Sequence, residues 1–292
     1  MKSVSTQASI ESSAFPMDAM GKSMIRRPWL LTIVLASALC IAYLVAAVAH
    51  WGEAADRSLY ANLGMIPIGL AATLLAAEAA KSRSSRRSTW AWAMLAAGLG
   101  CFWAGDVLYF VYQNVFGSSP FPSPADAGYL AYYPLAFIGL LCLPSQPAHR
   151  LRRSVTYPSC LVLVGGGAAA IFVWFLLPTL HSSRDNLFAY CLSVGYPFGD
   201  LLLLGGIAWM LLRGAWVNQW SIWLLSVGLV VGLAADVLFG YQSIQGSFLS
   251  GGFADVAYMV SWTSFAWAGY AELRREHQGV TTGHRVGEAH ER

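Results

Sequence analysis

The sequence predicts an all-α integral membrane protein of about eight transmembrane helices, built as two parallel four-helix repeats offset by about 130 residues. Three observations predict it. Of the 292 residues, 57% are hydrophobic and only 11% charged, where a soluble domain carries roughly a quarter charged. Apolar runs of about 20 residues, each long enough to cross a hydrocarbon core of ~30 Å as a helix, recur along the whole chain. The runs of the first half match those of the second when the sequence is slid against itself. Short segments of alternating hydrophobicity, the mark of a β-barrel, are missing.

Taken in order, the predicted spans are 29–50, 60–80, 89–115, 127–144, 155–179, 187–212, 217–241 and 254–273. Residues 1–28, rich in Ser and Met without apolar periodicity, form a tail expected to be disordered and cytoplasmic. The first span ends in Ala47-Val48-Ala49 and so resembles a secretory signal with its cleavage site. Its run is too long for a signal, and the repeat needs this helix, so it reads as an uncleaved span. Pro67 in the second span and Pro197 in the sixth are expected to kink their helices. Gly165-Gly166-Gly167 in the fifth permits close packing. Trp29, Trp51, Trp90, Trp92, Trp220 and Trp223 lie near span ends, where an interfacial belt belongs. The chain thus divides into a tail at 1–28, repeats at 29–144 and 154–273, and a polar cytoplasmic tail at 274–292 too short for a domain.

Orientation follows from the basic residues. The amino tail, the second-to-third, fourth-to-fifth and sixth-to-seventh connections and the carboxyl tail together hold sixteen of the 18 Lys and Arg. Only Arg57 and Arg184 fall on the opposite side. Both termini are therefore expected in the cytoplasm, with the protein in the cell membrane. The net charge of +3 reports that orientation and does not point to a nucleic-acid surface. The five cysteines (Cys40, Cys101, Cys142, Cys160 and Cys191) lie inside predicted helices and form no CxxC pair, so disulfides and zinc are not expected. No span contains Lys, which excludes a retinal Schiff base. No cofactor is implied.

The repeat is carried by particular pairs. Tyr60 falls on Tyr190, Pro67 on Pro197, Gly69 on Gly199 and Trp90 on Trp220. Ala104 and Asp106-Val107-Leu108 fall on Ala234 and Asp236-Val237-Leu238. With one residue deleted in the loop, Asp126 meets Asp255, Tyr129 meets Tyr258 and Tyr133 meets Trp262. Apolar helices share Leu and Ala by chance, whereas a shared intramembrane Asp is rare. A period of four helices keeps both halves in one orientation, related by an axis along the membrane normal.

An Asp in mid-membrane costs about 2.5–3.5 kcal/mol on insertion scales and faces the interior. Asp106, Asp236 and Asp200 are therefore the candidate catalytic acids or bases. Trp103 and Tyr109 share a helix face with Asp106, Tyr129 and Tyr133 with Asp126, and Tyr258 and Trp262 with Asp255, while Tyr196 precedes Asp200 by one turn. These are the candidate binding residues, around one outward cavity that His50 and His181 rim. Two plainer roles stay open. Asp126 and Asp255 begin helices and can cap them, and Asp106 and Asp236 can hydrogen-bond the tyrosines as structural ties. Asp200 has no counterpart, because Leu70 holds its place in the first half. A divalent cation among these acids is a further possibility, without a tight metal motif to support it.

The pattern Gly105-Asp106-x-x-Tyr109, Pro122-Ser123-Pro124-Ala125-Asp126-x-x-Tyr129 and Tyr133-Pro134-Leu135, with Tyr196-Pro197-x-Gly199-Asp200-Leu201, resembles the membrane-embedded input region of bacterial GGDEF and EAL signalling proteins, particularly those of actinobacteria. The resemblance covers nearly all of 29–273 and implies the membrane fold and a sensory role. In that family the last helix leads into a catalytic domain that makes or degrades cyclic di-GMP. No GGDEF or EAL stretch follows here, so this chain is not expected to perform that chemistry itself.

Two readings follow. One is an integral membrane enzyme, by analogy with small membrane terpene cyclases, in which a carboxylic acid protonates an apolar, prenylated substrate and aromatic rings stabilise the migrating cation. The other is a non-catalytic module that binds an apolar or small ligand in the same cavity and signals to a separate partner. Proton-coupled transport is a third possibility.

Overall fold

The computed structural model describes residues 17–49, 52, 54–83, 85–118, 121–144, 150–181, 187–213, 219–245, 247 and 251–290. Among these residues every regular element is helical. The helices are α1 (Met17–Val48), α2 (Ala54–Lys81), α3 (Arg86–Phe110, extended by a π-helical turn at Val111–Val115), α4 (Pro124–Cys142), α5 (Arg150–Ala170, continued through a π-helical Ile171–Leu176 to Leu177–His181), α6 (Leu187–Leu212), α7 (Trp220–Ile244) and α8 (Phe253–His290). The first seven are long and apolar enough to cross a membrane, as a multi-pass membrane protein requires. α8 does not reach that apolarity, because Ser261, Thr263, Ser264 and Trp267 interrupt its run.

Its neighbours explain why it need not. α8 packs against α1, α2 and α7, and its polar groups are used inside the protein. Ser261 donates to the Gly228 carbonyl of α7 at 2.8 Å, and the Trp267 indole donates to Ser37 of α1 at 2.9 Å. Thr263 and Ser264 return their hydroxyls to carbonyls one turn back. By contrast α1 and α5 turn Leu31, Leu35, Ile41, Val45, Leu161 and Val162 outward.

Followed by contact, α2, α3, α4, α6, α7 and α8 close a ring, with α1 and α5 outside it. α3 and α4 lie closest. A Cβ at Gly128 of α4 would come within 2.5 Å of the Cys101 carbonyl oxygen, so only glycine permits that approach.

One end of the bundle is marked by Lys81, Arg83, Arg86 and Arg87 and is termed the basic end. There Arg87 donates to the Cys142 and Leu141 carbonyls, closing the carboxyl end of α4 at 3.0 and 3.3 Å. Arg83, between α2 and α3, forms a buried ion pair with Glu272 of α8 at 2.6 Å, and Ser221 of α7 donates to the other Glu272 oxygen.

Three expectations are corrected. Residues 17–28, expected to be disordered, are the first turns of α1, where Met, Ala, Lys and Arg favour a helix although Gly21 and Pro28 do not. The polar stretch 274–290, for which no structure was expected either way, continues α8. Trp92, assigned to the interfacial belt, is 1% exposed in the core, while Trp90 and Trp220 stay exposed. Gly165 and Gly166 meet nothing; only Gly167 packs, against Leu204. Trp51 and His50 lie outside the described residues.

Candidate functional site

The site gathers near the end of the ring opposite the basic end, where α4 and α8 begin. Tyr129 of α4 donates to Asp106 Oδ1 of α3 at 3.1 Å, and Tyr258 of α8 donates to Asp236 Oδ1 of α7 at 2.7 Å. Both acids are thus tied to the following helix by a phenol, the structural role left open for them. The second oxygen of Asp106 is buried without a hydrogen bond.

Asp126 and Asp255 do cap their helices. The Ser123 N–H and hydroxyl donate to Asp126 Oδ2 at 2.6 and 3.2 Å, and the Gly251 N–H donates to Asp255. Asp126 does more, since its Oδ1 accepts the Tyr196 hydroxyl and joins α4 to α6.

Asp200 is fully buried, and neither of its oxygens has a hydrogen-bond partner. Asp236 and Tyr133 lie beside it. The backbone allows this crowding because Gly199 sits directly against the Tyr133 ring, leaving no space for a Cβ. Gly69 plays the corresponding part on α2, where a Cβ would stand 3.0 Å from Trp103 and 3.4 Å from Trp262.

Phe102, one turn before Asp106, is the hub of the aromatic groups. Its ring centroid lies 4.9 Å from Tyr129, 5.2 Å from Tyr132, 5.4 Å from Trp262 and 6.4 Å from Tyr258. A small cavity opens among Phe102, Tyr132, Leu203, Asp236, Tyr258 and Trp262, with room for little more than a water molecule.

The structure therefore brings together Asp106, Asp236, Asp200, Tyr129, Tyr133, Tyr258 and Trp262. It turns Trp103 aside, with its indole donating to the Ile66 carbonyl of α2 at 2.9 Å. Tyr109 lies toward Asp255, away from the cavity wall. His181 is exposed and bonded to the Leu177 carbonyl of its own helix, so it does not serve the acids. Among the described residues no three His, Cys, Asp or Glu side chains gather to hold a metal ion. Sequence reasoning missed Phe102, Tyr132, Ser261 and Phe265. Their signal was helical spacing: each stands three or four positions from a residue already singled out.

Chemically the site offers carboxylates, phenols and π-faces in a nearly dry interior, an arrangement suited to positive charge. Compared with known protein families, curated proteins and solved structures, the chain matches none.

Proposed function

We propose that this protein is a membrane-embedded sensory module that couples occupancy of the acid–phenol site to movement of α8, and through it to a signalling partner. The observation that carries this reading is the course of α8. One uninterrupted helix of 38 residues starts at the site with Tyr258 and Trp262, reaches the Arg83–Glu272 pair, and continues to His290. Trp262 and Glu272 are about 15 Å apart along the axis at 1.5 Å per residue. A rigid rod of this kind transmits a shift at one end to the other. The resemblance to membrane input regions of cyclic di-GMP signalling proteins supports the same role. The arrangement is two parallel four-helix repeats making eight spans in the cell membrane, with both termini cytoplasmic. Matching contacts support the repeat: α4 packs on α6 as α8 packs on α2, and the Asp106–Tyr129 bond matches Asp236–Tyr258.

The test is amide hydrogen exchange on the full chain in lipid nanodiscs, wild type against Asp236→Asn. Altered exchange around Glu272 is the expected result. Identical exchange there, with changes confined to the site, would overturn the reading.

One observation favours acid-initiated cyclisation of a prenylated substrate as a second reading: Asp106 presents an unpartnered oxygen beside the Phe102 aromatic cluster. The cavity is far smaller than a prenyl chain, which places this reading second. A product isomeric with an offered prenylated compound or epoxide, absent with Asp106→Asn, would raise it to first.

A further inference from the structure

The cavity wall has an unusual hydrogen-bond inventory. Tyr258 commits its O–H to Asp236, and Ser261 commits its O–H to the Gly228 carbonyl. Both oxygens therefore present lone pairs alone to the space between them. Asp236 adds a carboxylate, and Tyr132 a phenol that accepts as readily as it donates. The remaining wall includes the rings of Phe102, Trp262 and Phe265, whose faces carry negative potential. A neutral ligand finds acceptors and few donors here; a positive one finds several partners at once.

A second observation points the same way. Asp200 is fully buried beside Asp236 with both oxygens lacking a hydrogen bond. Two neighbouring ionised carboxylates in such a place are strongly unfavourable unless a proton or a cation stands with them. Hard divalent ions take six or more oxygen ligands, and no cluster of three acidic, His or Cys side chains exists among the described residues to supply them. The available space is about that of one water molecule.

We infer that this cavity is a binding site for a water-sized monovalent cation, ammonium or an alkali ion, held by Asp236, Tyr258 and Ser261 with Asp200 behind them. The inference rests on the sensory reading for its claim that the cation is the signal. The site itself stands on the geometry. Cation–π attraction to the surrounding rings favours the weakly hydrated members of the class, ammonium and potassium, over sodium and lithium.

The experiment is thermal unfolding of the full chain in nanodiscs, titrated with ammonium, potassium, sodium or lithium chloride against choline chloride at constant ionic strength. A saturable rise in Tm with ammonium or potassium is expected. Asp236→Asn and Asp200→Asn should each weaken the apparent affinity at least about tenfold, and Ser261→Ala should weaken it by a smaller factor. Equal melting in choline and in every ion would overturn the site. So would an ion response that survives Asp236→Asn, or stabilisation that follows pH alone in choline, which would assign the charge to a proton. Should a variant fail to fold, the wild-type comparison with choline decides by itself. Exchange at Glu272, read on the same samples, separates the two claims. Ion binding without an α8 response keeps the site and overturns the sensory reading. An α8 response without ion binding does the reverse.

Discussion

Tyr196 of α6 donates its phenolic hydrogen bond to Asp126 of α4, joining helices whose residues stand 70 positions apart. The same carboxylate holds the first turn of α4 through Ser123, so one side chain fixes both a helix start and a helix–helix contact. Tyr196→Phe would keep the ring and leave Asp126 Oδ1 without its donor. The expected cost is about 1–3 kcal/mol, read as a lower Tm in nanodiscs. Unchanged melting would show that water replaces the phenol.

Asp200 should behave in the opposite sense. Its oxygens lack hydrogen bonds, and the matching position of the first half is Leu70. In choline chloride, with no water-sized cation to bind, Asp200→Leu is expected to stabilise the protein by about 1–3 kcal/mol, since it removes a buried polar group without a hydrogen bond. The same variant should lose any response of α8. In ammonium or potassium chloride the gain should shrink or reverse, because the variant also loses the inferred cation, and an equal gain in every salt would count against that site.

At the basic end, Glu272 is 2% exposed and faces Arg83. Breaking a buried ion pair from one side costs about 3–5 kcal/mol, because the remaining charge stays buried. Glu272→Leu is therefore expected to be severe, and the double variant with Arg83→Met milder than Glu272→Leu alone. A double-mutant cycle of unfolding midpoints tests this. Additive losses would show that the two charges act independently.

Glycines of different surroundings give a matched pair. Gly199→Ala drives a methyl into the Tyr133 ring and should cost about 1–3 kcal/mol as overpacking. Gly165→Ala meets open space within a helix and should gain about 0.5–1 kcal/mol. The two Tm shifts should therefore differ in sign, and equal shifts would refute the close approach of α6 to α4.

Seven helices were legible because lipid imposes a length and an apolarity that any segment must meet by itself. The pairing of Asp106 with Tyr129 and Asp236 with Tyr258 was foreshadowed, as a possibility, by equal spacing in the two halves. The link from Asp126 to Tyr196 was not legible, since it joins two helices whose rotation no local pattern reports. Phe102 and Tyr132 were passed over because aromatic residues are common in such spans, and only packing showed which of them meet the acids. Trp92 shows the same limit: proximity to a span end does not reveal whether a side chain faces headgroups or protein.

The hydroxyl-rich composition of α8 bears on how the protein is made. A segment that partitions poorly into lipid on its own cannot be recognised by the insertion machinery as a free-standing anchor. It has to be admitted as a client of helices that already offer partners for Ser261 and the Trp267 indole. α1, α2 and α7, which supply or surround those partners, all precede it in the chain. Translation order therefore delivers α8 to a prepared berth. A chain whose α7 fails to insert would leave α8 without the Gly228 carbonyl that receives Ser261 and without the surface that covers it.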